Sequence, residues 1–433
     1  MTSDQRPREA YVWIWLPGET DPVVAGRIER DQDIFVFNYG QSYLDRKDAI
    51  PIYLPELTLG RGAIVPNPPL PMANALRDAA PDAWGRRVII NRLTGKIGDE
   101  ARQVELDELT YLLSSGSDRI GALDFQASPE TYVGRDIEQA SLAELQESAD
   151  RVLDGKPLHR EIDRALHHGS AIGGARPKVL IDDNDKKYIA KFSSSGDTYS
   201  VVKAEFIAMR LAEIAGLNVA PVKIEKVAHK DVLLIERFDR IKTDAGWARR
   251  AMVSALTLFG LHEQMARYAS YEELADIIRA RFDAPRETLR ELYARMVFNI
   301  LVGNVDDHAR NHAAFWDGEM LSLTPAYDIC PQARTGREAS QAMLVNGTRN
   351  ASQLTECLGA AGKFHLSDDD ALQIMTAQTA TIREHWDAVC AKAEVSAVDK
   401  ALFRGRQFLN PFAFEGLEDR FTQMGGGSFT RVK

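Results

Sequence analysis

The chain has 433 residues, 45% of them hydrophobic and 27% charged, with a formal net charge of −10. Such a composition belongs to soluble globular proteins, and the length calls for more than one core. An acidic surface disfavours direct non-specific binding to nucleic acid, since that affinity comes from neutralising phosphates. No run of eighteen apolar residues is present, so no transmembrane helix is expected.

The first residues, "MTSDQRPREAYVWIWLPGE", lack the apolar segment and small-residue cleavage site of a secretory signal. Three cysteines, Cys330, Cys357 and Cys390, are far apart and odd in number. That fits reduced thiols in a cytoplasm and argues against a cysteine metal site.

In chain order, "YVWIWL" (11–16) reads as a buried strand, and "VVAGRIERDQDIFVFNY" as two strands around a polar turn. "AAPDAWGRRVIINRL" predicts a helix opening near Pro81, because proline suits a first helical turn. Ser141 with Glu144 forms a capping-box pattern for a helix running to about Leu153. After a glycine-bearing loop, "PKVLI", a polar turn and "YIAKF" predict a β-hairpin. "KAEFIAMRLAEIAG" has helical spacing and stops at Gly216; "VAPVKIEKV" and "DVLLIERFDR" read as further strands. From Ala251 the pattern is helical, apart from a hairpin made of "HAAFW", a turn at Asp317-Gly318, and "EMLSLTP". Ser367, with Asp370 three residues on, caps a long final helix. A glycine loop and hairpin, a helix, two strands and a helical lobe follow the order of a two-lobed kinase.

Phosphoryl transfer needs a loop over phosphates, a lysine on them, oxygen ligands for a metal, and a group that orients the nucleophile. The stretch "GSAIGGARPK" supplies a candidate loop: Gly173 and Gly174 let backbone N–H groups approach an anion, and Arg176 and Lys178 add charge. A plain glycine turn before a hairpin is the simpler alternative. Lys191 lies inside the apolar "YIAKFSS", where a charge is costly without a partner, and Glu205 on the next helix is a candidate for one. A lysine that snorkels to the surface would look the same in sequence.

The most informative stretch is "NILVGNVDDHARNHAAFW". Asp306, His308 and Asn311 fall within six residues, after an apolar helix and before a hairpin. An aspartate that accepts a hydroxyl proton, followed five residues later by a metal-binding asparagine, is the logic of a kinase catalytic loop. The order Asp-x-His-x-x-Asn differs from the His-Arg-Asp of common protein kinases and is closer to the Asp-Arg-His of phosphoinositide kinases. Asp328 in "LTPAYDIC" follows Asn311 by seventeen residues, and the hairpin could return it beside Asn311 to hold Mg²⁺. A charged loop capping a helix is the alternative. So is a metal hydrolase using Asp306, Asp307, His308 and His312, although a strand beginning at His312 argues against it. "LLIERFDR" (233–240) ends a strand where a kinase hinge offers backbone groups to adenine, or it is an edge strand with a charged end.

These motifs together resemble the HipA-type serine/threonine kinases, the toxin half of bacterial toxin–antitoxin modules. "LRDAAPDAWGRRVI" is similar to the family's N-terminal element, "SAIGGARPK" to its phosphate loop, "ERFDR" to its hinge, "NVDDHARN" to its catalytic loop and "LTPAYD" to its metal motif. The resemblance runs over nearly the whole chain. It implies an α+β, two-lobed, phosphoinositide-kinase-like fold. Its parts would be a mixed α/β N-terminal domain (1–155), a small ATP-binding lobe (156–245) and an all-helical C-terminal lobe (246–433).

The resemblance also assigns roles. Asp306 would be the catalytic base, and Asn311 and Asp328 the Mg²⁺ ligands. Lys191 would reach the ATP phosphates, with Lys178 a second contact. Glu236 and Phe238 would face adenine largely through backbone groups, with Asp239 and His308 near the ribose. Ser170 would be autophosphorylated, and its phosphate would compete for the loop amides and switch the enzyme off. Asp307 and Arg310 depart from the glycine and lysine that the resemblance leads one to expect. The implied partners are a HipB-like helix-turn-helix antitoxin, which would supply the DNA contacts and make this chain a corepressor, and a protein substrate such as an aminoacyl-tRNA synthetase. A small-molecule kinase and a non-catalytic nucleotide-binding regulator remain open on these residues.

Overall fold

The computed structural model describes residues 6–96, 98–135, 144, 146–147, 151, 176–183, 185–193, 197–227, 230–334 and 336–422. The capping-box helix expected from Ser141 falls largely outside them. Two compact units divide the chain. The first comprises Met1–Gly196, Glu225–Val253 and Phe315–Glu319, the second Asp197–Ile224, Ser254–Ala314 and Met320–Lys433.

In the first unit, β1 (Glu9–Ile14), β2 (Val23–Asp31), β3 (Ile34–Tyr39) and β4 (Leu123–Gln126) form an antiparallel sheet in the order β3-β2-β1-β4. Alternate residues Ala10, Val12 and Ile14 of β1 are fully buried, as a strand with one core face requires. Helix Ala83–Thr94 starts after Pro81 and an extended Asp82, and stops where Gly95 turns left-handed (φ 68°). Its Trp84 and Val88 enter the core of a second sheet. That sheet consists of β5 (Lys178–Asp183), β6 (Lys186–Phe192), β7 (Val222–Val227) and β8 (Lys230–Glu236), in the order β5-β6-β8-β7. Val179, Tyr188, Ala190, Phe192, Val232 and Leu234 complete the cluster. The helix's other side, Ile89 and Ile90, packs on Ala101 and Tyr111.

A hairpin not foreseen from the sequence, β9 (Arg240–Thr243) with β10 (Gly246–Arg249), follows β8. Its base is a buried charge cluster. Asp118, Asp124 and Asp239 meet Arg119, Arg237 and Arg240, each no more than 6% exposed. Asp118 Oδ1 accepts from Arg237 (3.0 Å) and Arg240 (2.7 Å), and Arg119 Nε donates to Asp124 Oδ1 (2.7 Å). Asp239 Oδ2 accepts from the Gly121 N–H (2.8 Å), Arg237 (2.8 Å) and Arg240 (2.9 Å), and its Oδ1 accepts from Arg237 Nε (2.9 Å). Burial raises the Asp239 carboxyl's pKa, but Arg237 and Arg240 lower it further, to about 2. Burial, with Arg237 close by, pushes Arg240 down to about 10, still protonated at neutral pH.

The second unit is built on helix Pro285–Val302, which has proline in its first turn and buries most of its length from Leu289 onward. Helices Tyr271–Arg281, Leu354–Ala360 and Asp368–Lys392 pack around it, and Val201–Ile214 packs on the last of these. Ser367 and Asp370 form a reciprocal capping box at the start of the 25-residue helix. The region from 246 onward is not all-helical. It contains β10, β11 (Met252–Ser254), β12 (Ala313–Trp316) and β13 (Leu321–Leu323). The apolar runs flanking Asp317-Gly318 pair as a hairpin, and the short "MVS" run is extended too. Gly318 takes φ 109° at the turn, a value other residues adopt only under strain.

Asp239→Asn leaves buried guanidinium groups short of a counter-charge and is expected to cost ~3–5 kcal/mol in chemical unfolding. The wild-type carboxylate titrates below its unfolded value. Its stabilisation is therefore complete above about pH 4 and lost as pH falls from there toward about 2. The Asn variant should show a flatter acid limb over that window.

Candidate active site

Residues from both units that the sequence marked for phosphoryl transfer are placed as follows. In the first unit, β5 and β6 pair with Lys178 opposite Lys191 and Val179 opposite Ala190. Side chains alternate across a sheet, so the two lysines share a face with Leu180, Ile189, Leu233 and Ile235, opposite the Trp84 cluster. Each lysine is only 7% exposed. Two cations directly opposite each other repel, so such a pair calls for negative charge close by.

At the end of β8, the Glu236 carboxylate pairs with Lys186 (2.6 Å). The Arg237 N–H donates to the Lys187 carbonyl (2.8 Å). The Phe238 ring meets Phe315 edge-on at 5.9 Å, and Arg250 lies over Phe315 at 3.2 Å. Asp239, expected near the ribose, lies in the buried charge cluster. It is 2% exposed, and both its oxygens are occupied by the buried cluster, so its charge serves the fold. Ser170, Gly173 and Gly174 lie outside the described residues. Arg176 opens the described segment that runs into β5.

In the second unit, helix Pro285–Val302 ends at Gly303 in the left-handed region (φ 70°). A Cβ there would sit 2.6 Å from the Gln407 carbonyl oxygen, so only glycine launches the next loop at this point. Asn304 Nδ2 donates to Asn299 Oδ1 (3.0 Å) and reaches the Asp328 carbonyl (3.5 Å). Asp306 is exposed, and its carbonyl accepts from the His308 N–H (2.9 Å) and from Asn311 Nδ2 (3.1 Å). Asn311 is 8% exposed, and with Nδ2 so engaged its Oδ1 is the group it can offer a cation. Tyr327 OH donates to the Arg310 carbonyl (2.7 Å), tying the segment before Asp328 to the same loop. Asp328 itself is left-handed (φ 58°), a conformation that costs a non-glycine residue free energy and concentrates at functional sites. His308 is half-buried, and its Nδ1 has no hydrogen-bond partner. Glu205, on helix Val201–Ile214, is 2% exposed.

Asn311 and Asp328 offer oxygen donors of the kind hard divalent cations take. Among the described residues no group of three or more His, Cys, Asp or Glu is placed to hold a metal. His312, weighed above as a ligand, instead directs Nε2 to Asp307 (3.1 Å).

Comparison with known families decides the kinship. The HipA-like C-terminal domain pattern matches residues 170–386, and the HipA N-terminal domain pattern matches 14–126. The chain belongs to the HipA family. The serine/threonine-protein kinase toxin HipA of Shewanella oneidensis is 27% identical over 183 residues, covering 37% of this chain and 42% of that protein. A putative kinase of Sinorhizobium fredii is 25% identical over 195 residues, covering 41% and 46%. The chain thus spans less than half the length of these two curated relatives. A solved complex of HipA, HipB and operator DNA from Shewanella oneidensis MR-1 has a chain that superposes with a TM-score of 0.67 at 20% identity, covering 96% of this chain and 100% of that one. The HipA fold is therefore shared, as a mixed α/β protein.

Sequence reasoning missed three groups around these HipA motifs. Asn304, between helix and loop, carries no motif of its own. Asp118 bonds to arginines 119 and 122 positions away, so no local pattern points to it. Tyr271 bonds to Asp307 over 36 positions, and Asp307 and His312 come together in the sequence only in a metal-hydrolase alternative that the strand at His312 argues against.

The left-handed backbone at Asp328 gives a stability test. Asp328→Gly should remain within about 1 kcal/mol of wild type or exceed it, while Asp328→Val should lose a further ~1–2 kcal/mol. Thermal melts of the two variants compare them directly.

Proposed function

We propose that this protein is an ATP-dependent serine/threonine protein kinase acting as the toxin of a toxin–antitoxin pair. One observation carries the reading: the hydrogen-bonded framework that ties the backbone of Asp306, the side chain of Asn311 and the segment before Asp328 into one loop system. That is the set phosphoryl transfer needs, an acceptor for a hydroxyl proton beside two oxygen ligands. In functional terms the chain would comprise the N-terminal domain (1–155), the ATP-binding lobe (156–245) and the catalytic lobe (246–433) of a two-lobed kinase.

The Asp306 carboxylate, exposed to an incoming hydroxyl, would orient it and accept its proton. Lys191 and Lys178 would take the phosphates, an assignment supported by their register opposite each other on one face of the sheet. Leu180, Ile189, Leu233 and Ile235 on that face would cover the adenine ring. Asn311 and Asp328 would hold Mg²⁺. When bound, the ion would neutralise charge on the transferring phosphoryl group.

The acceptor would be a serine of a translation-related protein such as an aminoacyl-tRNA synthetase, and also Ser170. The solved relative with HipB and operator DNA supports a HipB-like partner for this chain. With a net charge of −10, the chain would reach DNA through that partner and act there as corepressor.

Intact-mass spectrometry before and after incubation with Mg-ATP tests the reading. Wild type should gain one phosphate, mapped to Ser170, and Asp306→Ala none. If neither gains phosphate nor turns over ATP while both still bind it, the protein is a nucleotide-binding regulator instead. Lys191→Met should weaken ATP binding roughly tenfold or more in calorimetry, the worth of one charge-assisted hydrogen bond of ~1.5–3 kcal/mol.

A further inference from the structure

Beneath the catalytic loop lies a second set of polar groups that no motif assigns. Asp307 follows Asp306 directly but has the opposite environment: Asp306 is exposed, and Asp307 is 2% exposed. The Asp307 carboxylate contacts His312 Nε2 through Oδ1 (3.1 Å) and Oδ2 (3.2 Å). Its Oδ2 also accepts the Tyr271 hydroxyl. Tyr271 is fully buried, His312 is 4% exposed, and their rings meet edge-to-face at 5.4 Å.

Two rungs therefore cross the loop with the same spacing of five. The upper one joins the Asp306 carbonyl to Asn311 Nδ2 (3.1 Å), and the lower one joins Asp307 to His312 (3.1 Å). The upper rung holds the residues proposed for chemistry, and the lower rung is out of water. The two partners of Asp307 are also each fastened to a separate segment. The His312 carbonyl accepts from the Ala255 N–H (2.7 Å), and the Tyr271 N–H donates to the Leu344 carbonyl (2.9 Å). Tyr271 is the first residue of helix Tyr271–Arg281, which Ser270 caps. The floor of the loop is thus pinned at two places.

We propose that Asp307, His312 and Tyr271 form a positioning triad that sets the Asp306 carboxylate and the Asn311 amide for phosphoryl transfer. The idea rests on the kinase reading above and deepens it. Neighbouring chain positions cannot move independently: with Asp307 drawn inward, Asp306 is turned outward, and with His312 fixed, Asn311 is held against the Asp306 carbonyl. None of the three needs to touch nucleotide or acceptor. Their effect falls on the transfer step and not on ATP affinity. Small misplacements of reacting groups are costly, up to ~10²-fold in rate for about 1 Å. A buried carboxylate held by two donors whose rings also touch suits this task, because it permits one arrangement of the loop.

The test compares Tyr271→Phe, His312→Gln and His312→Leu with wild type in single-turnover phosphate transfer to the chain itself. ATP affinity is followed by calorimetry and folding by thermal melt. Tyr271→Phe removes one hydroxyl and keeps the ring. It should lower the transfer rate roughly tenfold, with ATP affinity within about twofold of wild type. His312→Leu should lose more, and His312→Gln, whose amide N–H can still reach Asp307, should recover part of that loss. Rates equal to wild type in Tyr271→Phe and His312→Leu would overturn the triad while leaving the kinase reading intact. So would a parallel loss of rate, ATP affinity and melting temperature with no recovery in His312→Gln. No transfer by wild type itself would overturn the kinase reading and the triad with it.

Discussion

Burying three carboxylates with three guanidinium groups is the constraint on which the first unit depends. Charges out of water are tolerated only when each finds close partners, and Asp118, Asp124 and Asp239 find them in Arg119, Arg237 and Arg240. The consequence is positional. The stretch from 118 to 124 leads into β4 of the first sheet, and the stretch from 237 to 240 leaves β8 of the second. Their spacing is fixed by bonds with little tolerance for drift. The Arg119 carbonyl receives both Arg237 (2.7 Å) and Arg240, so backbone as well as side chains is committed. A hydrophobic contact would allow sliding here, whereas forked guanidinium geometry does not.

Local pattern made much of the architecture legible. The alternation in "YVWIWL" and "PKVLI…YIAKF", proline near the start of helix Ala83–Thr94, Gly216 after helix Val201–Ile214 and the Ser367–Asp370 box all act within a few residues, and each corresponds to an element found. What could not be read locally is what depends on distant partners. β4 is four residues long and is specified by pairing with β1 more than a hundred positions away. The β9–β10 hairpin carries charged residues whose role is set by Asp118. The all-helical expectation for the C-terminal region already had the "HAAFW"–"EMLSLTP" hairpin as an exception; what it missed further was "MVS", which is too short to show a period.

The site divides in the same way. Asp306, Asn311 and Asp328 stand out because chemistry restricts residue type and spacing, whereas the groups that hold them do not. Asp239 shows the limit in another way. The family resemblance puts it near the ribose and says nothing of the four hydrogen bonds its carboxylate makes within the protein. Asp307 is the milder case: a residue noted as a departure, and otherwise only as a ligand in a rejected alternative, has Tyr271 and His312 as its partners.

The Trp84–Val88 face of helix Ala83–Thr94 has a consequence for biosynthesis. It belongs to the N-terminal family segment, yet it packs with Val179, Ala190 and Leu234 of the C-terminal one. As the ribosome extends the chain, this helix emerges roughly 150 residues before β8 completes its counterpart. At ~5–20 residues per second, its indole face waits for about seven to thirty seconds without that sheet to cover it. The boundary that separates the two family segments is thus not a folding boundary, and the nascent N-terminal part remains open to chaperones or to misassociation until the sheet of the next segment has been made.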